Sequence, residues 1–355
     1  MLQTIVKICL DKHLNFSVFS RPGSVDFEII IENPAQKAHS LKGFKFHPFM
    51  VSERTPSLFI PADFHFQSSK LTLQNCHLIN SLSSSKTKEH LVEIENTNET
   101  EYKKSLLKGM GLMSQLNIHK YVYSRIKTVE KPKDLDLAKY ILRLRESYKN
   151  AYIYLCHHEI SGTWVGATPE TLVSWSEGPI STMSLAGTLP KNSNKPNWSN
   201  KEIEEHNYVT KYIEKAFTNS NIPFQKGKTK TITAGPVYHL KTEIKSIGST
   251  SFQKATNLVK SLHPTPAICG VPLLESKQLI TSIEKHNRNY YTGYIGFFEP
   301  KKKLDFFVNL RCLQVLPKHL ALYLGGGITH ASDANKEWDE TNFKAQTLLN
   351  ALPNN

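Results

Sequence analysis

Cysteine is scarce in this chain of 355 residues: Cys9, Cys76, Cys156, Cys269 and Cys312 are odd in number and never form a CxxC pair. That scatter argues against a disulfide framework or a zinc site and for reduced thiols in a cytoplasm. No apolar run approaches the roughly 20 residues that a membrane helix needs, so no membrane partner is expected. Met1 to Lys12 show no signal-peptide h-region or cleavage site, and no secretory leader is expected. Runs of one charge are nearly absent too. The formal net charge is +13, yet only Lys301, Lys302 and Lys303 form a run of three, and no zinc-finger spacing, RNP motif or heptad accompanies them. A nucleic-acid partner is therefore not expected, whereas a solvated basic surface that draws in a small anion is.

What is present suits a large buried core. The apolar share of 39% is ordinary, and the length allows two domains or one big α/β unit. Up to about residue 80 the chain alternates short β-like runs, such as 25–31 and 58–66, with turn residues and carries no evident chemistry. Residues 80–100, rich in Ser, Thr, Lys, Glu and Asn, read as an exposed, mobile connection. Beyond them the periodicity predicts helices over 101–115, 135–149, 251–262 and 277–285. It predicts strands over 118–124, 151–157, 162–165, 180–185, 230–234, 290–298, 304–315 and 320–324.

The most informative pattern occurs twice. Ser332 and Asp333 offer caps to a helix over 336–352. At about 100° per residue, Glu337, Glu340 and Lys344 share one face with the apolar Leu348 and Ala351. In the helix over 199–217, Glu202 and Glu205 stand in the same relation to Val209, Ile213 and Ala216. Four inward carboxylates repel unless a cation sits among them, and oxygen-only ligands select Mg²⁺ before Mn²⁺ or Ca²⁺. Ser199 and Glu202 also form a capping-box signature, so Glu202 has a purely structural reading.

Other candidates stand alone. Lys120 alternates with His119 and Tyr121 on a strand. If its face points inward it is a desolvated amine fit to act as a base; otherwise it is an edge lysine in water. Glu170 follows Pro169 at a strand start, facing either a cleft or solvent. Arg311 among apolar neighbours needs an anion, from a substrate or from a structural acid. The amides of Gly325, Gly326 and Gly327 suit a carboxylate or phosphate, or simply a turn. The proline-rich loop 262–272 reads as a rigid wall.

Taken in order, HKYVYSR, GATPETL, SLAGT, KEIEEH, YHLKT, LHPTPAICG, NRNYYTGYIG, NLRC and GGGIT with EWDETNFK resemble the chorismate-utilising enzymes, and among them the isochorismate synthases. The resemblance spans residues 118–352; residues 1–115 match loosely, as the N-terminal part of the same unit. It implies a single α/β (α+β) catalytic unit over 1–355, with two antiparallel sheets face to face, helices packed outside, and a monomeric state. It also implies Mg²⁺-dependent addition of water at C2 of chorismate with loss of the C4 hydroxyl, feeding menaquinone or siderophore biosynthesis.

Carried over by motif, Lys120 is the expected base and Glu170 the expected acid. Glu205 and Glu340 are the main metal carboxylates, with Glu202 and Glu337 beside them. Arg311 and Tyr291 would hold one substrate carboxylate, and Gly325, Gly327 and Lys344 the other. Thr188 and His239 line the pocket, with Ala267 and Ile268 as its wall. Salicylate synthases tend to carry a threonine where Ala267 stands, and anthranilate and aminodeoxychorismate synthases differ in this loop. These are the alternative reactions; a non-catalytic, nucleic-acid-binding protein is the remote one. Ile268, Cys269 and Tyr290 depart from the residues most common in the family.

Overall fold

The computed structural model describes residues 1–84, 94–191 and 196–353. The expected connection over 80–100 therefore lies partly outside the described residues.

The chain begins with α1 (Leu2–Asp11), β1 (Phe16–Ser20), β2 (Glu28–Ile31), β3 (Gly43–His47), β4 (Leu58–Pro61), β5 (Phe64–Gln67), α2 (Leu73–Asn80) and α3 (Glu99–Met113). Next come β6 (Lys120–Glu130), α4 (Leu137–Ser147), β7 (Tyr152–His158), β8 (Gly162–Thr168), β9 (Thr171–Trp175), β10 (Ser181–Pro190) and α5 (Asn200–Asn219). The remainder is β11 (Phe224–Lys226), β12 (Lys230–Ala234), β13 (Val237–Ser246), α6 (Phe252–Leu262), β14 (Gly270–Val271), α7 (Leu273–Ile283), β15 (Tyr294–Glu299), β16 (Lys303–Val308), β17 (Cys312–Val315), β18 (His319–Thr329) and α8 (Ala334–Leu349).

Among the described residues the strands form two nine-stranded sheets. The first runs β14-β6-β18-β17-β8-β7-β1-β2-β5, the second β11-β13-β10-β9-β16-β15-β3-β4, with β12 paired to β13. Every pairing is antiparallel, for example Lys120 to Glu130 against Thr329 to His319. Strand alternation explains the layering. On β7, Tyr152, Tyr154 and Cys156 point into an aromatic layer with Phe19, Phe44, Phe46, Trp164 and Phe307, drawn from both sheets. Ile153 and Leu155 point the other way, under α1 and α4. Helices α5 and α6 cover the outer face of the second sheet, while α3 and α7 pack beside β6. Two stacked sheets with helices outside are thus what the alternation of large apolar residues produces.

The sequence reading erred near the N-terminus, where α1 and α2 occupy a region read as strands. Thr72 caps α2 in a reciprocal box with Asn75, a signal that was present but passed over. It also erred at 304–315, which is two strands in different sheets. Between β16 and β17 the chain crosses from one sheet to the other through Asn309 to Arg311, and Arg311 takes φ +46°. No glycine or proline marks that corner. A parallel crossing joins β8 to β9 through Pro169 and Glu170. The two corners are tied together: Val308 N donates to Glu170 O at 3.0 Å, and Ala167 N to Arg311 O at 3.0 Å. Among the described residues no helix is long and apolar enough to cross a membrane.

Candidate active site

The seam between the sheets opens a pocket lined by Glu170, Thr188, Glu205, His239, Ala267, Ile268, Tyr291, Arg311, the three glycines 325–327 and Lys344. The chain corners that transfer strands between sheets place Glu170 and Arg311 there. Strand β17 pairs with β18 only from Leu320 to Tyr323, so beyond Tyr323 one edge of β18 has no strand opposite it among the described residues. Gly325 to Gly327 occupy this open stretch, still paired to β6 on the other side. The glycines are needed because functional side chains press on them. A Cβ on Gly327 would overlap Glu205 Oε1 and come within 2.8 Å of Lys120 Cε; one on Gly325 would meet Tyr291 Oη at 2.8 Å.

Lys120 is fully buried, which excludes the edge lysine in water. Its Nζ lies 3.0 Å from Glu205 Oε1, in ion-pair contact but out of line for a hydrogen bond. Burial pushes Glu205 up, but Lys120, and after it Lys201 and Lys344, outweigh this and hold it below the usual carboxylate range. Glu170 is the opposite case. It is also buried, and desolvation pushes its pKa up to about 8 against a weaker pull from Lys120. At neutral pH it holds a proton, and within one pocket a carboxylate and a carboxylic acid coexist.

Arg311 is held without a salt bridge among the described residues. Its guanidinium donates to Thr347 Oγ1 at 2.9 Å and to His239 Nε2 at 3.1 Å. His239 can accept because its Nδ1 donates to Gly187 O at 2.9 Å, and burial, with Arg311 and Lys344, drives its pKa down to about 3. Burial also lowers Arg311 to about 10. A buried guanidinium with neutral partners only is a ready anion site. Tyr291, expected on a strand, lies in the turn before β15 and still reaches the pocket. Thr188 and His239 pair across β10 and β13, where a bulge at Gly187 shifts the register.

The acidic residues of the two helices divide unevenly. Glu202 takes the capping role read for it: its carboxylate accepts from Ser199 N at 2.9 Å and Ser199 Oγ at 2.5 Å, completing the capping box. Glu337 and Glu340 converge on Gly326, where a Cβ would lie 3.2 Å from Glu337 Oε2 and 3.3 Å from Glu340 Oε1. Lys201 Nζ donates to Glu337 Oε1 at 2.7 Å, and Lys344 Nζ donates to Glu340 Oε1 at 2.5 Å and to Gly325 O at 2.9 Å. Lys201 escaped the sequence reading, although its place beside Glu202 on the same first turn was visible. Thr347 was missed too, one turn beyond Lys344.

The fit to a cation can be judged from Glu337. Burial and the neighbouring Glu340 push its pKa up to about 7, and its Oε2 is a buried oxygen with no hydrogen-bond partner among the described residues. Glu337 and Glu340 together therefore fit a hard divalent ion, which commonly takes one or two carboxylates. With lysines on three of the acids, no group of three His, Cys, Asp or Glu among the described residues converges at coordinating distance.

A buried lysine, a protonated carboxyl, an unpaired guanidinium and a cation-ready acid pair, set between two stacked antiparallel sheets, define an enzyme class that handles small anions by proton transfer. Residues 33–353 match the model of the chorismate binding enzymes, and the chain belongs to that family. It is 28% identical over 284 residues to isochorismate synthase DhbC of Bacillus subtilis, covering 74% of this chain and 70% of that one. It is 30% identical over 256 residues to the putative isochorismate synthase MenF of Mycobacterium tuberculosis, covering 66% and 68%. The crystal structure of a putative 2,3-dihydroxybenzoate-specific isochorismate synthase, DhbC from Bacillus anthracis, shares the fold, with TM-score 0.77 and 22% identity over 98% of both chains.

Proposed function

We propose that this protein is an isochorismate synthase, a single catalytic unit that isomerises chorismate. Water adds at C2, the C4 hydroxyl leaves as water, and the ring double bonds shift, so the atoms balance. The observation that carries the reading is the buried Glu170, protonated at neutral pH and set in the pocket with the equally buried Lys120. Such a pair can donate a proton to the departing hydroxyl and remove one from the entering water. Glu170 is the acid and Lys120 the base.

Chorismate is a dianion, and the pocket has two places for carboxylates. Arg311 with Tyr291 suits one; the open edge at Gly325 and Gly327, with Lys344, suits the other. Thr188 and His239 complete the lining. Ala267, with no hydroxyl to offer, and Ile268 form the wall near C2. Glu337, Glu340 and Glu205 would hold Mg²⁺, which when bound would supply charge that neutralises these acids and a substrate carboxylate. Glu202 stays at its cap, outside the ligand set.

Incubating the protein with chorismate and Mg²⁺ and separating the products by chromatography tests this reading. Isochorismate is expected. Salicylate and pyruvate as direct products, or an aminated product that appears only with ammonia, would place the protein among the other chorismate enzymes.

A further inference from the structure

Behind the pocket lies a second buried guanidinium, Arg288, which no step above uses. All five of its N–H donors have acceptors. Nε donates to Glu284 Oε2 at 2.8 Å and Nη2 to Glu284 Oε1 at 2.6 Å. Nη2 also donates to Val122 O at 2.7 Å, while Nη1 donates to Ile268 O at 2.8 Å and Thr292 Oγ1 at 3.4 Å. The group lies over the Phe49 ring, 4.5 Å from its centroid. Glu284 extends the reach of the cluster, accepting from Ser124 N at 2.7 Å and Ser124 Oγ at 2.8 Å.

The acceptors are the point. Val122 is on β6 two residues after Lys120, on the same face. Ile268 is the wall residue, and Val122, Ile268 and Thr292 all line the pocket. The backbone carbonyl of Arg288 also accepts from Tyr291 N at 2.9 Å, fixing the turn that carries Tyr291. One planar, rigid group thus spans the strand of the base, the wall beside the reacting carbon, and the turn of a carboxylate ligand.

We infer that Arg288 is a positioning residue that sets the distance between Lys120 and the Ala267–Ile268 wall, and so the alignment of the attacking water, without touching substrate. The inference rests on the isochorismate synthase reading. It predicts a specific kinetic signature, because a misplacement near 1 Å can cost about 100-fold in the chemical step. Substrate binding, held by Arg311 and the glycine edge, should survive.

The test is Arg288→Lys, which keeps the charge but cannot bridge two carbonyls and a carboxylate, together with the milder Phe49→Leu. Each is assayed well below its own melting temperature, with chorismate dissociation constants measured separately. The expected result is kcat lowered about 10- to 100-fold in Arg288→Lys and severalfold in Phe49→Leu, with chorismate affinity within about threefold of wild type. Wild-type kcat in either folded variant overturns the inference, as does loss of affinity in step with kcat. Phe49→Leu keeps the test decisive where Arg288→Lys does not fold. Failure of the wild-type protein to make isochorismate would instead overturn the underlying reading, so the two failures are distinguishable.

Discussion

Arg288 and Arg311 are both buried guanidinium groups, and their surroundings are opposites. Arg288 has a carboxylate and three further acceptors; burial pulls its pKa down, yet Glu284 wins and it ends above its ordinary value. Arg311 has a threonine and a neutral histidine, and burial brings it down to about 10. The carboxylates repeat the contrast. Glu284 is saturated by Arg288 and Ser124, whereas Glu170 keeps its proton because burial outweighs the pull of Lys120. Arg288 and Glu284 are satisfied within the chain, whereas Arg311 and Glu170 retain capacity that a ligand can fill.

The largest expected effect comes from the unsatisfied acid. Glu170→Gln should lower kcat by about 10²- to 10⁴-fold, the usual worth of a general acid. It should also stabilise the fold at alkaline pH. The folded pKa of about 8 lies above the ordinary value of 4.5, so the folded state holds a proton that the unfolded state loses between those limits. Stability from this group is full below pH 4.5 and declines as pH rises through 8. Melting curves should show Glu170→Gln gaining on wild type as pH rises from 5 to 8, and wild-type kcat should fall as pH rises through about 8. A Gln variant with no such gain would mean that Glu170 is ionised in the pocket.

The saturated acid should behave in the reverse way. Glu284→Gln leaves Arg288 buried with its charge uncompensated, at a cost of about 3–5 kcal/mol. Urea denaturation should register this as a lower midpoint at every pH between 6 and 9. An unchanged midpoint would dissolve the distinction drawn between the two acids.

How much of this was legible in the sequence follows the same division. Arg311 stood out because a charge among apolar neighbours needs a partner, whereas Lys120 and Glu170 each left an exposed reading open, which their burial removes. The face-to-face sheets came from the family resemblance, and the structure has them. The acids on α5 and α8 were legible as a pattern, but periodicity says only which way a residue faces. Glu202 shares the angle of Glu337, and both stand on a first turn, but the Glu202 carboxylate is engaged by the amide and hydroxyl of Ser199 three residues before it. The crossing at Asn309 to Arg311 was invisible because a non-glycine residue carries the left-handed turn, held by tertiary contacts. Arg288 went unnoticed within a motif because two of its acceptors, the carbonyls of Val122 and Ile268, lie far along the chain, and the local pair with Glu284 four residues before it does not reveal them.

Arg311→Lys should sharpen the comparison from the ligand side. It removes a planar fork from an anion site, and kcat/KM should drop about 100-fold or more, mostly through KM. Since Arg311 has no ion pair to break among the described residues, the melting transition should be kept, unlike that of Glu284→Gln. Steady-state kinetics and a thermal melt on one preparation check both halves. A melt as damaged as that of Glu284→Gln would make Arg311 a scaffold residue.

The smallest effect concerns what aims the guanidinium. Thr347 and His239 hold Arg311 in place before any anion arrives, and Thr347 stands on the same helix as Glu340 and Lys344. Thr347→Val keeps the shape and deletes one acceptor, a loss of about 1 kcal/mol or somewhat more. KM for chorismate should rise about three- to tenfold with kcat nearly constant, since orientation of the carboxylate site is a binding contribution. A fall in kcat at constant KM would mean that Arg311 acts on the transition state and not on the carboxylate. That outcome would break the division between groups that hold the substrate and groups that move its protons.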